Sequence, residues 1–177
     1  SAPKGILGSS AIVKVSGVSS QGKTVIAANV IEMWSRIFAR SRPNAVWLIN
    51  QEVEPQLMDM KIEGSAGGVY PVYLPPGGLS GAEYGTLFGR PVIAVEQCSA
   101  LGTAGDIILG DFTNGYILAR KGDIASDMSI HVRFVYDESV FRFVLRVDGQ
   151  PVRSAVLTPF KGAATQAHFV TMDTRTA

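Results

Sequence analysis

Apolar and polar positions along this chain follow two different rhythms. Within residues 84–121 the apolar positions gather into three short runs, Pro91–Val95, Ile107–Leu109 and Tyr116–Ala119. Glycines and small polar residues separate them, and runs of that length bounded by turn formers predict strands buried on both faces. Pro91 suits the first residue of a strand, where its missing N–H is tolerated. From residue 130 the rhythm becomes a strict alternation. Ile130, Val132, Phe134 and Tyr136 alternate with His131, Arg133 and Val135, and Phe141, Phe143, Leu145 and Val147 alternate with Arg142, Val144 and Arg146. Period-2 alternation predicts antiparallel strands with one apolar and one largely polar face. The turn Asp137–Ser139 separates the two runs. Asp148-Gly149 is a two-residue hairpin signal leading to a third strand near Val152–Leu157. The prediction is an antiparallel meander whose apolar face needs a cover.

Earlier in the chain, Ala11–Val15 is long enough for a short strand, and Gly17–Gly22 reads as a loop. Residues 27–40 predict a helix, because Val30, Trp34, Ile37 and Phe38 recur at i, i+4, i+7 and i+8. Arg36 and Arg40 complement the dipole at its end, and Pro43 stops it. A nucleic-acid patch built from Arg36, Arg40 and Arg42 is the rival to that capping role. Ala45–Ile49 predicts a buried strand, and Pro55–Lys61 a short helix turning Leu57, Met58 and Ile62 inward. Residues 64–85 form a long Gly/Pro/Tyr-rich loop centred on Pro75-Pro76-Gly77-Gly78, and loops of that length are commonly functional. Residues 162–177 (Ala, Thr, Gly) read as a terminal segment. No amphipathic helix is left over to cover the meander, so the cover is expected from outside these residues.

Composition narrows the classes. The chain has 177 residues, enough for one domain with a sizeable core, and carries 46% hydrophobic but only 18% charged residues. So weakly charged a surface suits a subunit packed against its own copies. A net charge of +1 argues against a dedicated nucleic-acid binder. The single Cys98 excludes an internal disulfide, and no apolar run approaches a membrane span.

Candidate chemistry is sparse. Gly17-Val-Ser-Ser-Gln-Gly22-Lys23-Thr24 satisfies the phosphate-loop pattern and lies between an apolar run and a helix. Such a site also needs an acidic magnesium ligand closing a strand, and Ala45–Ile49 ends in Asn50 instead. A small nucleotide-binding enzyme therefore rests on residues 17–24 alone. Asp106 and Asp111 bracket a strand about 16 Å apart on opposite faces, too far for paired catalytic carboxylates, and read better as turn residues. His131, His168 and Cys98 lack metal-ligand spacing, and no nucleophile elbow is present. The expectation is no catalytic residue, no metal and no cofactor.

Leu87-Phe-Gly-Arg-Pro-Val92, then Gly105-Asp-Ile-Ile-Leu-Gly-Asp-Phe112, then Tyr116-Ile-Leu118 resemble the axial domain of the major capsid protein of tailed double-stranded DNA phages. Pro3-Lys-Gly-Ile-Leu7, Asn44-Ala-Val-Trp-Leu-Ile-Asn50 and Phe141-Arg-Phe-Val-Leu-Arg-Val-Asp-Gly149 extend the resemblance in the family's order. It covers essentially the whole chain but only the C-terminal part of a family member. No segment resembles the family's N-terminal arm, extended loop or spine helix, and the last of these is the family's cover for the meander.

The resemblance implies an α+β fold: an axial-domain mixed sheet flanked by helices, plus an elongated antiparallel meander from the peripheral domain. The implied segments are a lead at 1–23, the axial domain at 24–128, the peripheral meander at 129–161 and a C-terminal segment at 162–177. It further implies a subunit of a phage or prophage head. Copies would form pentamers and hexamers that enclose packaged DNA without reading its sequence. Such a subunit would assemble in the bacterial cytoplasm, alongside a scaffold or maturation protease and a portal. An encapsulin-type compartment shell is the related alternative. The lysine–asparagine crosslink of some family members cannot be placed in these residues. Interface candidates are Pro75, Pro76, Gly77 and Leu79 in the long loop, and Arg133, Arg142 and Arg146 on the polar side of the meander.

Overall fold

Two of the three glycine-bounded runs become strands of one large mixed sheet in the computed structural model, which describes residues 3–17, 22–63, 69–75 and 84–175. The first half of the chain gives β1 (Ile12–Val15), α1 (Ala27–Arg36), β2 (Val46–Ile49), α2 (Glu54–Asp59), β3 (Lys61–Glu63), β4 (Val69–Pro71), β5 (Tyr73–Leu74) and β6 (Thr86–Leu87). The second half gives β7 (Arg90–Ala94), β8 (Ile107–Gly110), α3 (Phe112–Gly115), β9 (Tyr116–Arg120), β10 (Ala125–Ser129), β11 (Val140–Val144), β12 (Val147–Pro151) and β13 (Phe169–Met172).

The main sheet has the order β1-β13-β8-β2-β7-β6-β5. β1 runs parallel to β13 and β2 parallel to β7, while the other neighbours are antiparallel. Its register explains the core. Val13 pairs with Val170, Val170 with Leu109, Leu109 with Trp47, and Trp47 with Val92. All five are buried, forming one row across five strands. Side chains of one row share a face, and α1 covers it with Val30 and Met33, joined by Ile37 just beyond the helix end. Trp47 satisfies its indole by donating Nε1–H to the Leu87 carbonyl at 3.1 Å. On the opposite face Phe169 meets Phe112 edge-on at 5.4 Å. Gly110 is required here, since a Cβ on it would come within 2.7 Å of the Phe169 ring.

The C-terminal segment departs most from expectation. β13 lies inside the sheet between β1 and β8, and all four of its residues are buried. Residues 1–23 likewise contribute β1 to the same sheet. The helix expected over 27–40 ends at Arg36. Ile37 turns extended and bridges Ala167, and the chain then tightens into a 3-10 turn over Ala39–Asn44. Leu57 points inward as expected, whereas Met58 is exposed.

The predicted meander is not formed. Residues 130–136 hold no strand and end in a 3-10 turn at Phe134–Tyr136. β11 does form, but it pairs with β10, so Met128 faces Phe141 and Asp127 faces Arg142. The expected hairpin at Asp148-Gly149 is instead the middle of β12, paired with β9. Gly149 sits opposite Leu118, with the Tyr116 hydroxyl 2.7 Å from where its Cβ would be. The glycine thus serves close approach rather than a turn. Residues 152–157 hold no strand. Of the three runs expected to be buried on both faces, β8 is, β7 is half-buried and β9 is largely exposed.

Candidate functional site

The phosphate-loop pattern lacks its surroundings. Val18–Gln21 lie outside the described residues, and α1 begins only at Ala27, after Thr24. The helix entry is closed by this chain itself, with Asn29 Oδ1 accepting from the Ile26 N–H at 3.2 Å. The Val25 N–H donates to Gln56 Oε1 at 2.7 Å. Among the described residues no group of three or more His, Cys, Asp or Glu could hold a metal ion.

Asp106 is fully buried and accepts from the backbone N–H groups of Gly102 (3.0 Å) and Ile107 (2.8 Å). It also forms an ion pair with Arg175, which is itself buried. Its reading as a turn residue therefore holds, and the Arg175 partner is an addition the spacing did not suggest. Asp111 caps α3, accepting from Asn114 N–H at 3.1 Å and from the Asn114 amide at 2.9 Å.

Asp111 is also one end of a polar chain that local sequence could not show. Ser41 Oγ lies 2.8 Å from His168 Nδ1 and hydrogen-bonds the Asp111 carboxylate. Serine, histidine and aspartate meet here, but with serine in the middle and fully buried. In a hydrolase triad the histidine takes the central place and the serine faces substrate. This arrangement holds three segments together and offers no nucleophile. Burial pushes the Asp111 carboxyl up, but bonds from Asn114 and Ser41 and the nearby His168 outweigh it and leave it below the usual range. Burial likewise pulls the His168 imidazole below its ordinary value, against the attraction of Asp111 and with help from Arg153 and Arg40.

Cys98 is buried, and burial, followed by the charge of Asp106, pushes its thiol up to about 11. A neutral buried thiol is a poor nucleophile. Native protein at pH 8 is expected to react with a thiol-specific disulfide reagent about a hundredfold more slowly than protein in urea. Equal rates would contradict this placement.

The three basic residues after α1 have separate tasks. Arg36 donates Nε–H to the Thr165 carbonyl at 2.6 Å, and Arg42 donates to the Trp34 carbonyl at 3.1 Å while lying 5.2 Å from its ring centre. Arg40 is exposed and belongs to a pocket described below. The interface candidates are dispersed. Arg133 pairs with Glu138 at 2.8 Å and Arg142 with Asp127 at 2.6 Å, both on the surface, where such pairs contribute about 0–1 kcal/mol. Arg146 is exposed, Pro75 is exposed, and Pro76, Gly77 and Leu79 lie outside the described residues.

As the alternation led one to expect, much apolar surface in this region is uncovered. Phe134 is 75% exposed, Val135 91%, Phe141 64% and Phe143 70%. Phe141 and Phe143 share one face of β11 with Met128 opposite, and this face has no cover among the described residues. A two-stranded ribbon is marginal alone in water, and contiguous exposed apolar surface of this kind marks an interaction face.

The phage capsid family model matches residues 1–162. The chain belongs to the phage capsid family. Among solved structures, the capsid of an empty GTA particle computed with C5 symmetry superposes with a TM-score of 0.64 at 18% identity. The capsid of a native GTA particle, also computed with C5 symmetry, gives 0.63 at 18% identity. Both comparisons cover 98% of this chain and 56% of the GTA chain, so the chain spans little more than half the length of those capsid subunits. No curated protein matches the sequence. No helix among the described residues of this capsid-family chain is long and apolar enough to cross a membrane.

Proposed function

We propose that this chain is the shell-forming part of a phage or prophage major capsid protein, whose copies associate into pentamers and hexamers that close an icosahedral head around packaged DNA. The observation that carries this reading is the family match over residues 1–162, joined to a superposition on GTA capsid chains that takes in 98% of the chain. The uncovered face of β10–β11 supports it. A surface that is unfavourable in a lone monomer becomes an asset once a longer segment of the same protein, or a neighbouring copy, lies on it. In this reading the seven-stranded sheet with α1 and α2 is the axial unit. Residues 116–161, with the β9–β12 and β10–β11 ribbons, are the peripheral one. A ring of such units uses two different patches on each copy.

The test is to express the full-length gene product containing these residues and to image it by negative-stain electron microscopy. Closed particles are expected. Dispersed monomers under every assembly condition would overturn the reading. Within it, the loop Pro75–Gly81 faces the capsomer axis, a role motivated by its length and its neutral Pro/Gly composition. Deleting this loop is expected to leave the thermal unfolding transition of the chain unchanged and to abolish particle formation. Normal particles from the deletion would remove the loop from the interface. Arg133, Arg142 and Arg146 belong to the same reading as polar contacts around the apolar face.

A further inference from the structure

A pocket of about 430 Å³ opens where the segment after α1, α3 and the segment after β12 meet. Its lining combines Phe38 and Arg40 after α1, Asn114 of α3, Val152 and Arg153 after β12, Leu157, and His168 just before β13. The polar groups there are two guanidinium groups, one imidazole and one amide, and no carboxylate lines the pocket. Arg40 and Arg153 form no ion pair among the described residues. Arg153 instead lies 5.3 Å from the Phe38 ring centre, a position that fixes the guanidinium without neutralising it.

We propose that this pocket is an oxyanion site that takes a carboxylate-type or phosphate-type group between Arg40 and Arg153. Guanidinium groups present paired donors matched to the oxygens of such anions. Phe38, Val152 and Leu157 supply the apolar part of the lining. His168 completes the site as its sensor. Its Nδ1 lies 2.8 Å from Ser41 Oγ, which holds the ring in place against the pocket. The charged groups facing it are Asp111, which favours a proton on the ring, and Arg40 and Arg153, which oppose it. An anion seated between the arginines cancels their opposition and raises the imidazole's affinity for protons. The pocket lies within one chain, so it does not depend on the shell reading.

The experiment is a histidine-resolved NMR titration of the chain against pH, with inorganic sulfate as probe because it stays a dianion throughout the histidine range. Chloride at matched ionic strength is the control. Exposed His131, distant in the fold, serves as internal reference. Sulfate is expected to move the His168 midpoint upward in a saturable way while His131 stays put. Arg153→Gln and Arg40→Gln are each expected to weaken sulfate binding about tenfold or more. Both side chains are exposed, and an unchanged amide spectrum elsewhere verifies the fold of each variant. A second arm identifies the source of the group. Without sulfate, a His168 midpoint that rises with protein concentration, and ceases to do so in Arg153→Gln, assigns it to a carboxylate of a second copy. If His168 answers neither sulfate nor protein concentration, the site is refuted.

Discussion

Replacing Asp106 by alanine is expected to destabilise the folded chain by about 3–5 kcal/mol, read as a lower midpoint in urea unfolding. The size follows from what is left behind. Asp106 is fully buried, and it neutralises a buried Arg175 while accepting from Gly102 and Ile107. Without the carboxylate, the Arg175 guanidinium keeps two long contacts of 3.4 Å, to the Asp173 and Lys23 carbonyls, and its Nε already lacks a partner. An uncompensated buried charge is far more costly than the original pair was favourable. The double replacement Asp106→Asn with Arg175→Met therefore should recover much of the loss, because asparagine still offers one acceptor to the backbone and methionine brings no charge. Each single change is expected to be worse than the double. Simple additivity across the cycle would mean that the pair is uncoupled and the argument wrong.

The second large effect concerns β13. Ending the chain after Gln166 removes a strand flanked by β1 and β8, together with Phe169, Val170 and Met172, all buried. Burying one such side chain is worth about 1.5–3 kcal/mol. Three of them, with the sheet hydrogen bonds on both sides, match the whole stability of a typical domain, about 5–15 kcal/mol. The shortened chain should lose its cooperative urea transition and its near-ultraviolet circular dichroism. A chain lacking only Thr176 and Ala177 should keep both. A sigmoidal, native-like transition after the larger deletion would show that β13 is dispensable.

Sequence patterning captured those parts of the fold whose signals are local. The strands β2, β7 and β8 lie within short apolar runs between turn formers, and α1 presents its stripe at helical spacing. β13 was missed because only Phe169, Val170 and Met172 stand out from Ala, Thr and Gly neighbours, and its burial comes from strands far away in the chain. β10, Ala-Ser-Asp-Met-Ser, has almost no strand signal, so β11 was matched to the wrong partner. The exposed run in β9 shows the converse. Apolar composition indicates what a strand could bury, and burial follows only where a second surface exists to receive it.

The candidate sites divide the same way. Asp106 and Asp111 were legible as turn residues, but the arginine 69 positions beyond Asp106 and the Ser41–His168 contact spanning 127 positions leave no local trace. The family resemblance, by contrast, rested on motifs along the whole chain and led directly to the family.

The pairing of β1 with β13 has a consequence for how this protein is made. Before β13 is in place, Val13 and Val15 lack the strand that flanks them, and α1 lacks the β13 side chains it packs on. Such pairings between distant segments form slowly. Until β13 docks, β1 and β8 each present an unpaired edge, a pairing hazard that the finished fold hides.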